Sequence, residues 1–348
     1  MLTRVGLIGL GYWGPNLVRC FNELEDCKVT AVCDKDPQRL TTITDRFPGT
    51  MPTDDADELF KSGKVDAVVV ATPTTTHYDL ASRAIAHGLH VFVEKPLATS
   101  SDECQRLIEQ ADAANRTLFV GHVFLHSAPV KKLKELINNG ELGEVRYISS
   151  DRLNLGPVRH DVNALWDLAP HDISIILHLL GASPNSVSCS GSAYLTPGVH
   201  DVCNLTLHFD NKQMGIVNVS WLDPRKKRTL TVVGSQKMAT YDDLEIEKIK
   251  IFDKGVDAPD YSTNFGEFQF SYRYGDTFSP RLKEVEPLKA ECADFISSIR
   301  DCRQPLTDGV NGLQVVEVLE AAQQSLFENG QRITLNSPYC LKESATHA

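Results

Sequence analysis

Three glycines, Gly9, Gly11 and Gly14, stand in the stretch GLGYWG at the spacing G-x-G-x-x-G, directly after the apolar run RVGLIG. In that pattern the first glycine permits a tight turn and the second lets backbone come close to a pyrophosphate. The third lets the following helix pack near the strand, its N-terminal amides aimed at the anion. Tyr12 and Trp13 lie inside the same loop. Asp34 follows Gly14 by twenty residues, at the end of a second apolar run, KVTAVCD. A carboxylate there accepts hydrogen bonds from the adenosine ribose hydroxyls and repels a 2′-phosphate, so the combination predicts a dinucleotide site that prefers NAD to NADP. Lys35 and Arg39 stand close enough in sequence to soften that preference by neutralising a phosphate.

Two more stretches carry candidate chemistry. In ATPTTTHYD, Thr72, Pro73 and Thr74 follow a third buried run, where residues of such a sheet line the cofactor. His77 comes next, either as part of that cofactor loop or as a helix-start residue satisfying backbone groups. In VFVEKPLA a buried-strand pattern runs into Glu94 and Lys95 and stops at Pro96, which has no N–H to give to a ladder. The strand therefore delivers a carboxylate and a cation to the sheet edge that the glycine loop occupies.

Positioning these groups requires a particular scaffold. The apolar runs at 4–9, 28–34, 65–72, 90–96 and 117–123 alternate with segments whose apolar residues recur every three or four positions, such as NLVRCFNELED and SDECQRLIEQADAANR. Strands that are apolar throughout must be covered on both faces, which predicts an α/β Rossmann-type domain with a doubly wound parallel sheet over residues 1–121. From 122 to 348 the texture changes. After the helix APVKKLKELINNG and the strand VRYISSDRLN, the helix ALWDLAPHDISIILHLLG is followed by SVSCSGSAYL, NLTLHF, MGIVNVSWL, KRTLTVVGS and KMATYDDL. Adjacent strands with polar residues at alternate positions predict a second α/β domain built on a large, mostly antiparallel open sheet. One face packs on helices and the other suits a partner subunit.

Composition narrows the partners. The net charge of -11 repels nucleic acid and anionic membrane surfaces. Nine scattered cysteines with no C-x-x-C pair read as reduced thiols of a cytoplasmic protein. The glycine-broken start lacks the form of a secretory signal, and no apolar run reaches the ~18 residues of a membrane span. Asp167, His171, Asp172 and His178, or His122 with His126, offer no third and fourth ligand at metal-site spacing, so no metal is expected.

GLGYWG, ATPTTTH, GLHVFVEKPLA and DLAPHD, in this order, resemble the Gfo/Idh/MocA family of sugar and inositol oxidoreductases, and the similarity continues through PLTDGVNGLQVVEVLEAAQQS. The resemblance implies hydride transfer between a secondary alcohol and a nicotinamide. It places Lys95 in the active site together with Asp167 and His171, four apart on one helix face. Lys95 then stabilises developing alkoxide charge and His171 serves as the base, the two converging on one hydroxyl. Asp167 orients Lys95 or His171, or accepts from a neighbouring sugar hydroxyl, and Glu94 falls on the cofactor side. The family also often self-associates through its open sheet, which implies a homodimer or homotetramer.

The segment SSDRLNLGPVRHDVNALWDLAPHD supplies Arg152, Asn154, Arg159 and Asn163 as a substrate wall. Arginine forks suit phosphate or carboxylate oxygens and asparagines suit hydroxyls; the alternative is surface pairing of the arginines with Asp151 and Asp161. GYWGPN and LWDLAPHDIS look most like the branch acting on nucleotide-linked sugars, at C3 of a UDP-N-acetylhexosamine or its uronic acid. Ala169 and Pro170 depart from the glycine often found two residues after the aspartate. A dehydrogenase of free sugars or inositol, and a catalytically silent dinucleotide-binding regulator, are the other readings.

Overall fold

The computed structural model describes residues 2–156, 158–159, 162–257, 270–283 and 285–335. The chain begins with β1 (Thr3–Ile8), α1 (Gly14–Asn22), β2 (Cys27–Cys33), α2 (Pro37–Arg46), β3 (Met51–Thr53) and α3 (Ala56–Lys61). It continues through β4 (Ala67–Val70), α4 (His77–Ala86), β5 (His90–Glu94), α5 (Ser101–Ala114) and β6 (Leu118–Gly121). Helix starts follow local chemistry: Asp36, Asp55 and Ser100 each accept an N–H of the first turn they cap. The six strands pair in parallel in the order β3-β2-β1-β4-β5-β6. This is the expected doubly wound sheet, with β3 and α3 added. The sequence hid β3 because it is three residues long and contains Pro52, which an edge strand tolerates.

The second unit holds α6 (Ala128–Asn138), β7 (Val145–Leu155), α7 (Ala164–Leu180), β8 (Ser186–Ser192), β9 (Val202–His208), β10 (Met214–Ser220), β11 (Leu222–Gly234), β12 (Met238–Asp242), β13 (Ile249–Asp257) and β14 (Ser271–Phe278). They are followed by α8 (Pro287–Arg300), α9 (Gly309–Phe327) and β15 (Ile333–Thr334). Nine strands run in the order β14-β13-β12-β11-β7-β10-β9-β8-β15, antiparallel except for β7 against β10. Helix α7 packs on β7, β9 and β10. Strands β13 and β14 went unpredicted: β14 is almost wholly exposed, and in β13 the buried alternation is confined to Ile249 and Ile251.

The boundary expected at 121/122 needs correction. The first compact unit is Met1–Ser127 together with Val285–Glu320. The reason lies in α8, whose Leu288, Cys292, Phe295 and Ile296 bury into one core with Val5, Leu7, Phe21, Phe92 and Phe119. No helix among the described residues is long and apolar enough to cross a membrane.

Candidate active site

In a sheet of order β3-β2-β1-β4-β5-β6 the chain winds outward in opposite directions from β1 and β4, and a crevice opens at their carboxyl ends. The glycines line it for a physical reason. Gly9 has φ +95°, and a Cβ there would lie 2.5 Å from the Ala71 carbonyl oxygen. A Cβ on Gly14 would lie 2.3 Å from the Gly9 oxygen, so α1 can pack this close only without a side chain. At Gly11 the nearest atom to such a Cβ is Arg39 Nη1 at 4.0 Å, which leaves its backbone open to a ligand. Tyr12 and Trp13 stay exposed beside it. These are the features a dinucleotide pyrophosphate needs, and the cradle fits one.

Asp34 does double duty. Its carboxylate accepts the N–H of Leu10 at 2.6 Å and of Asp36 at 2.8 Å, tying the loop after β1 to the one after β2. Arg39 stands 3.6 Å from Asp34 and 3.4 Å from Asp36 with its guanidinium half-exposed. Across the crevice, Thr72 Cγ2 is within 2.9 Å of the position a Gly9 Cβ would take, and the Thr72 hydroxyl bonds that of Thr76 at 2.7 Å. Pro73 and Thr74 continue the same turn.

His77 is corrected by the structure. Its ring is buried, with Nδ1 2.8 Å from the Pro96 carbonyl oxygen and Nε2 2.9 Å from that of Thr72. It links the loop after β4 to the loop after β5, which is the backbone-satisfying alternative rather than a cofactor contact. Burial pulls its pKa below the ordinary value, with the charge of Lys95 adding to this, while the two carbonyls oppose it. The folded state therefore holds this proton less tightly than the unfolded chain, so the stabilisation is complete above pH ~6.5 and is lost on acidification. His77→Ala should lower the unfolding free energy by about 2–3 kcal/mol at neutral pH. It should also flatten the loss of stability as the pH falls below about 6.5, both measured by urea unfolding.

Strand β5 ends with Glu94 in register with Gly121 of β6. The Glu94 carboxyl lies against that glycine, 3.0 Å from where its Cβ would be, and accepts the Lys95 N–H at 3.3 Å. That contact places the Glu94 carboxyl beside the neighbouring strand, with a backbone amide as its hydrogen-bond donor. Burial pushes its carboxyl up to about 7 against the pull of Lys95. Burial lowers the pKa of both His77 and His122, and the Lys95 charge lowers them further, so its ammonium is felt across this corner. The Lys95–Pro96 peptide is cis.

In the second unit, Asn163 caps α7 by accepting the Trp166 N–H at 3.1 Å and donates to Gln323 at 2.7 Å. Those bonds give it a structural task in place of the expected substrate contact. The helix runs unbroken through Pro170, so Asp167 and His171 do share one face. Asp167 accepts from the Trp221 indole N–H at 3.1 Å and from Arg159 at 3.4 Å. Trp221 was missed in the sequence; its one signal is a tryptophan in a strand pattern. Arg152 is also corrected: it is buried and bonds Asp172 at 2.6 Å, with Ser150 donating to the same carboxylate at 2.5 Å. Asn154 is half-buried near the end of β7. Asp151 pairs with Lys227 at 2.8 Å, not with the arginines, and Asp161 lies outside the described residues.

The family model described as "Oxidoreductase family, NAD-binding Rossmann fold" matches residues 3–122, and that described as "GFO/IDH/MocA C-terminal domain" matches 130–240. An uncharacterized oxidoreductase of Streptococcus pneumoniae is 27% identical over 62% of each chain. Myo-inositol 2-dehydrogenase of Thermotoga maritima is 25% identical over 93% of this chain and 96% of its own. UDP-N-acetylglucosamine 3-dehydrogenase of Acidithiobacillus ferrooxidans is 25% identical over 90% and 94% respectively. Its solved structure shares the fold with TM-score 0.81 at 24% identity, covering 94% of this chain and 99% of that one.

Proposed function

This chain belongs to the Gfo/Idh/MocA oxidoreductases, and from that premise we propose that it is an NAD-dependent dehydrogenase acting on a secondary alcohol of a sugar, specifically C3 of a nucleotide-linked sugar. The observation that carries the reading is the placement of Lys95 at the end of β5, on the carboxyl edge that also bears Gly9, Gly11, Gly14 and Thr72. The bound nicotinamide supplies hydride acceptance. The protein's own residues do the rest: Lys95 supports the alkoxide, His171 takes the hydroxyl proton, and Asp167, held by Trp221, fixes that helix face. Asp34 selects NAD over NADP.

The nucleotide-sugar branch is supported by the likeness to UDP-N-acetylglucosamine 3-dehydrogenase and by Arg159 beside Asp167. A second reading, a free sugar or inositol as substrate, gains from the burial of Arg152 against Asp172, which removes one of the two arginines that pointed to an anionic substrate. The same proposal includes self-association as a homodimer or homotetramer through the nine-stranded sheet, where Tyr147, Met214, Tyr272 and Phe278 are exposed.

Absorbance at the reduced-nicotinamide band tests the function, using NAD and NADP in turn with UDP-sugars, free sugars and inositols. The expected result is reduction of NAD with a UDP-N-acetylhexosamine or its uronic acid. Response to inositol or a free sugar alone moves the chain to the second reading. Cofactor binding with no response from any of them marks a silent dinucleotide-binding regulator.

A further inference from the structure

A nucleotide-linked sugar brings a diphosphate, and the residues first read as its holders are engaged elsewhere. Arg152 is buried against Asp172, Asn163 caps α7, and Arg159 leans on Asp167. The net charge of -11 gives the chain a long-range field that repels such a ligand, so local cations must meet it. The densest run of cations in the sequence is RKKR, Arg225 to Arg228, in the first half of β11.

That half of the strand is irregular. Leu222 pairs with Leu155 of β7 and Lys227 with Leu153, so the four residues Asp223, Pro224, Arg225 and Lys226 bulge out opposite the single residue Asn154. Pro224 has no N–H to give to a ladder, which suits it to a bulge. Bulges beside a site re-aim side chains, and this one lies beside the residues around Asp167. A Cβ on Gly156 would lie 2.5 Å from Asn154 Nδ2 and 3.7 Å from Trp221 Cδ1, and the Trp221 indole donates to Asp167 at 3.1 Å. Arg225 follows Trp221 by four residues, at most about 14 Å of extended chain. Two of the four cations are spoken for: Lys227 pairs with Asp151 at 2.8 Å and Arg228 with Asp243 at 3.5 Å. Arg225 and Lys226 are exposed, and among the described residues neither meets a carboxylate. Asp223, half-buried, is the one acid of the bulge.

We propose that this bulge is the phosphate-binding part of the substrate site: Arg225 and Lys226 hold the diphosphate of a nucleotide-linked sugar whose hexose lies against Asp167 and Trp221. The inference rests on the nucleotide-sugar reading and deepens it, but its test needs no turnover. The arginine fork matches two phosphate oxygens and the lysine adds a point charge, a pair suited to a diphosphate. An uncharged sugar or inositol gives these two side chains nothing to neutralise.

Calorimetric titration of the full chain with UDP, with NAD in excess so that the glycine cradle is occupied, reads the site directly. Wild type should bind UDP, and Arg225→Ala/Lys226→Ala should weaken it at least about tenfold, equivalent to ~1.4 kcal/mol. Both side chains are exposed, so the variant's unfolding curve should overlay that of wild type. Lys61→Ala/Lys64→Ala, which removes two exposed lysines of the first unit, makes the same change in net charge and should leave UDP affinity as it was. Equal weakening by both pairs would assign the effect to the field of the whole protein and overturn the proposal. So would a wild type that does not bind UDP, or an R225A/K226A variant that binds it as tightly as wild type. Loss of free glucuronate binding with UDP binding intact would mark a carboxylate site and overturn the phosphate assignment. UDP results as expected beside a silent substrate panel would remove the dehydrogenase reading and leave the phosphate site standing. Turnover of a UDP-sugar with unaltered KM in R225A/K226A would do the reverse.

Discussion

The Lys95→Ala variant should turn over about 10²- to 10⁴-fold more slowly than wild type while binding NAD with unchanged affinity. The magnitude follows from where the ammonium sits. It leaves the end of β5 next to Glu94, and its charge reaches His77 and His122. A cation held in such a half-buried corner is screened less than one in water, so it stabilises a developing alkoxide more strongly. Lys95→Met, which retains most of the stem, separates the charge from its packing and should lose nearly as much. The measurements are kcat with whichever alcohol of the panel responds and NAD titration by protein fluorescence. A variant that loses NAD binding while keeping turnover at saturating cofactor would take Lys95 out of the chemistry.

The second large effect concerns the glycine loop, where two substitutions should weaken NAD binding for different reasons. Gly14→Ala drives a methyl to within 2.3 Å of the Gly9 carbonyl oxygen, and neither partner is a flexible side chain. Helix α1 must withdraw from the loop, at a cost of about 1–3 kcal/mol in stability. In the proposed site the N-terminal amides of α1 meet the pyrophosphate, so NAD affinity should fall with it. Gly11→Ala meets only Arg39 Nη1 at 4.0 Å, so its unfolding free energy should stay within about 0.5 kcal/mol of wild type. Its methyl would nonetheless stand where the proposed site has the ligand's phosphates approach. NAD affinity should drop at least about tenfold, equivalent to ~1.4 kcal/mol of binding. Thermal unfolding with and without NAD measures both, since a bound ligand raises the apparent stability of the state that binds it. Tight NAD binding by G11A would mean that the dinucleotide does not lie along this loop.

What consecutive residues dictate was legible. Gly9 takes a left-handed φ that side-chain-bearing residues avoid, and the requirement shows in its identity. The unbroken apolar runs of β4 and β5 announce strands covered on both faces, and Asp34 at the end of β2 falls where the fold needs it. Asp167 and His171 share a face because helix geometry fixes the direction of residues four apart. Family membership followed from the order of these local motifs along the chain.

Tertiary structure alone decided which polar groups were already engaged. Arg152, read as a substrate ligand, found Asp172 twenty residues away inside the second unit, and Asn163 became a helix cap. His77 turned inward to hold two loops through carbonyls that only folding brings together. Asp167 met Trp221 from fifty-four residues on, and α8 carried Phe295 back across more than a hundred and fifty residues to pack on Phe92 and Phe119 of the sheet that Lys95 leaves. A sequence specifies backbone conformation and hydrophobic period within a few residues of each position. The free energy of a buried charge depends on the group that meets it, and residues far apart along the chain meet only when it folds.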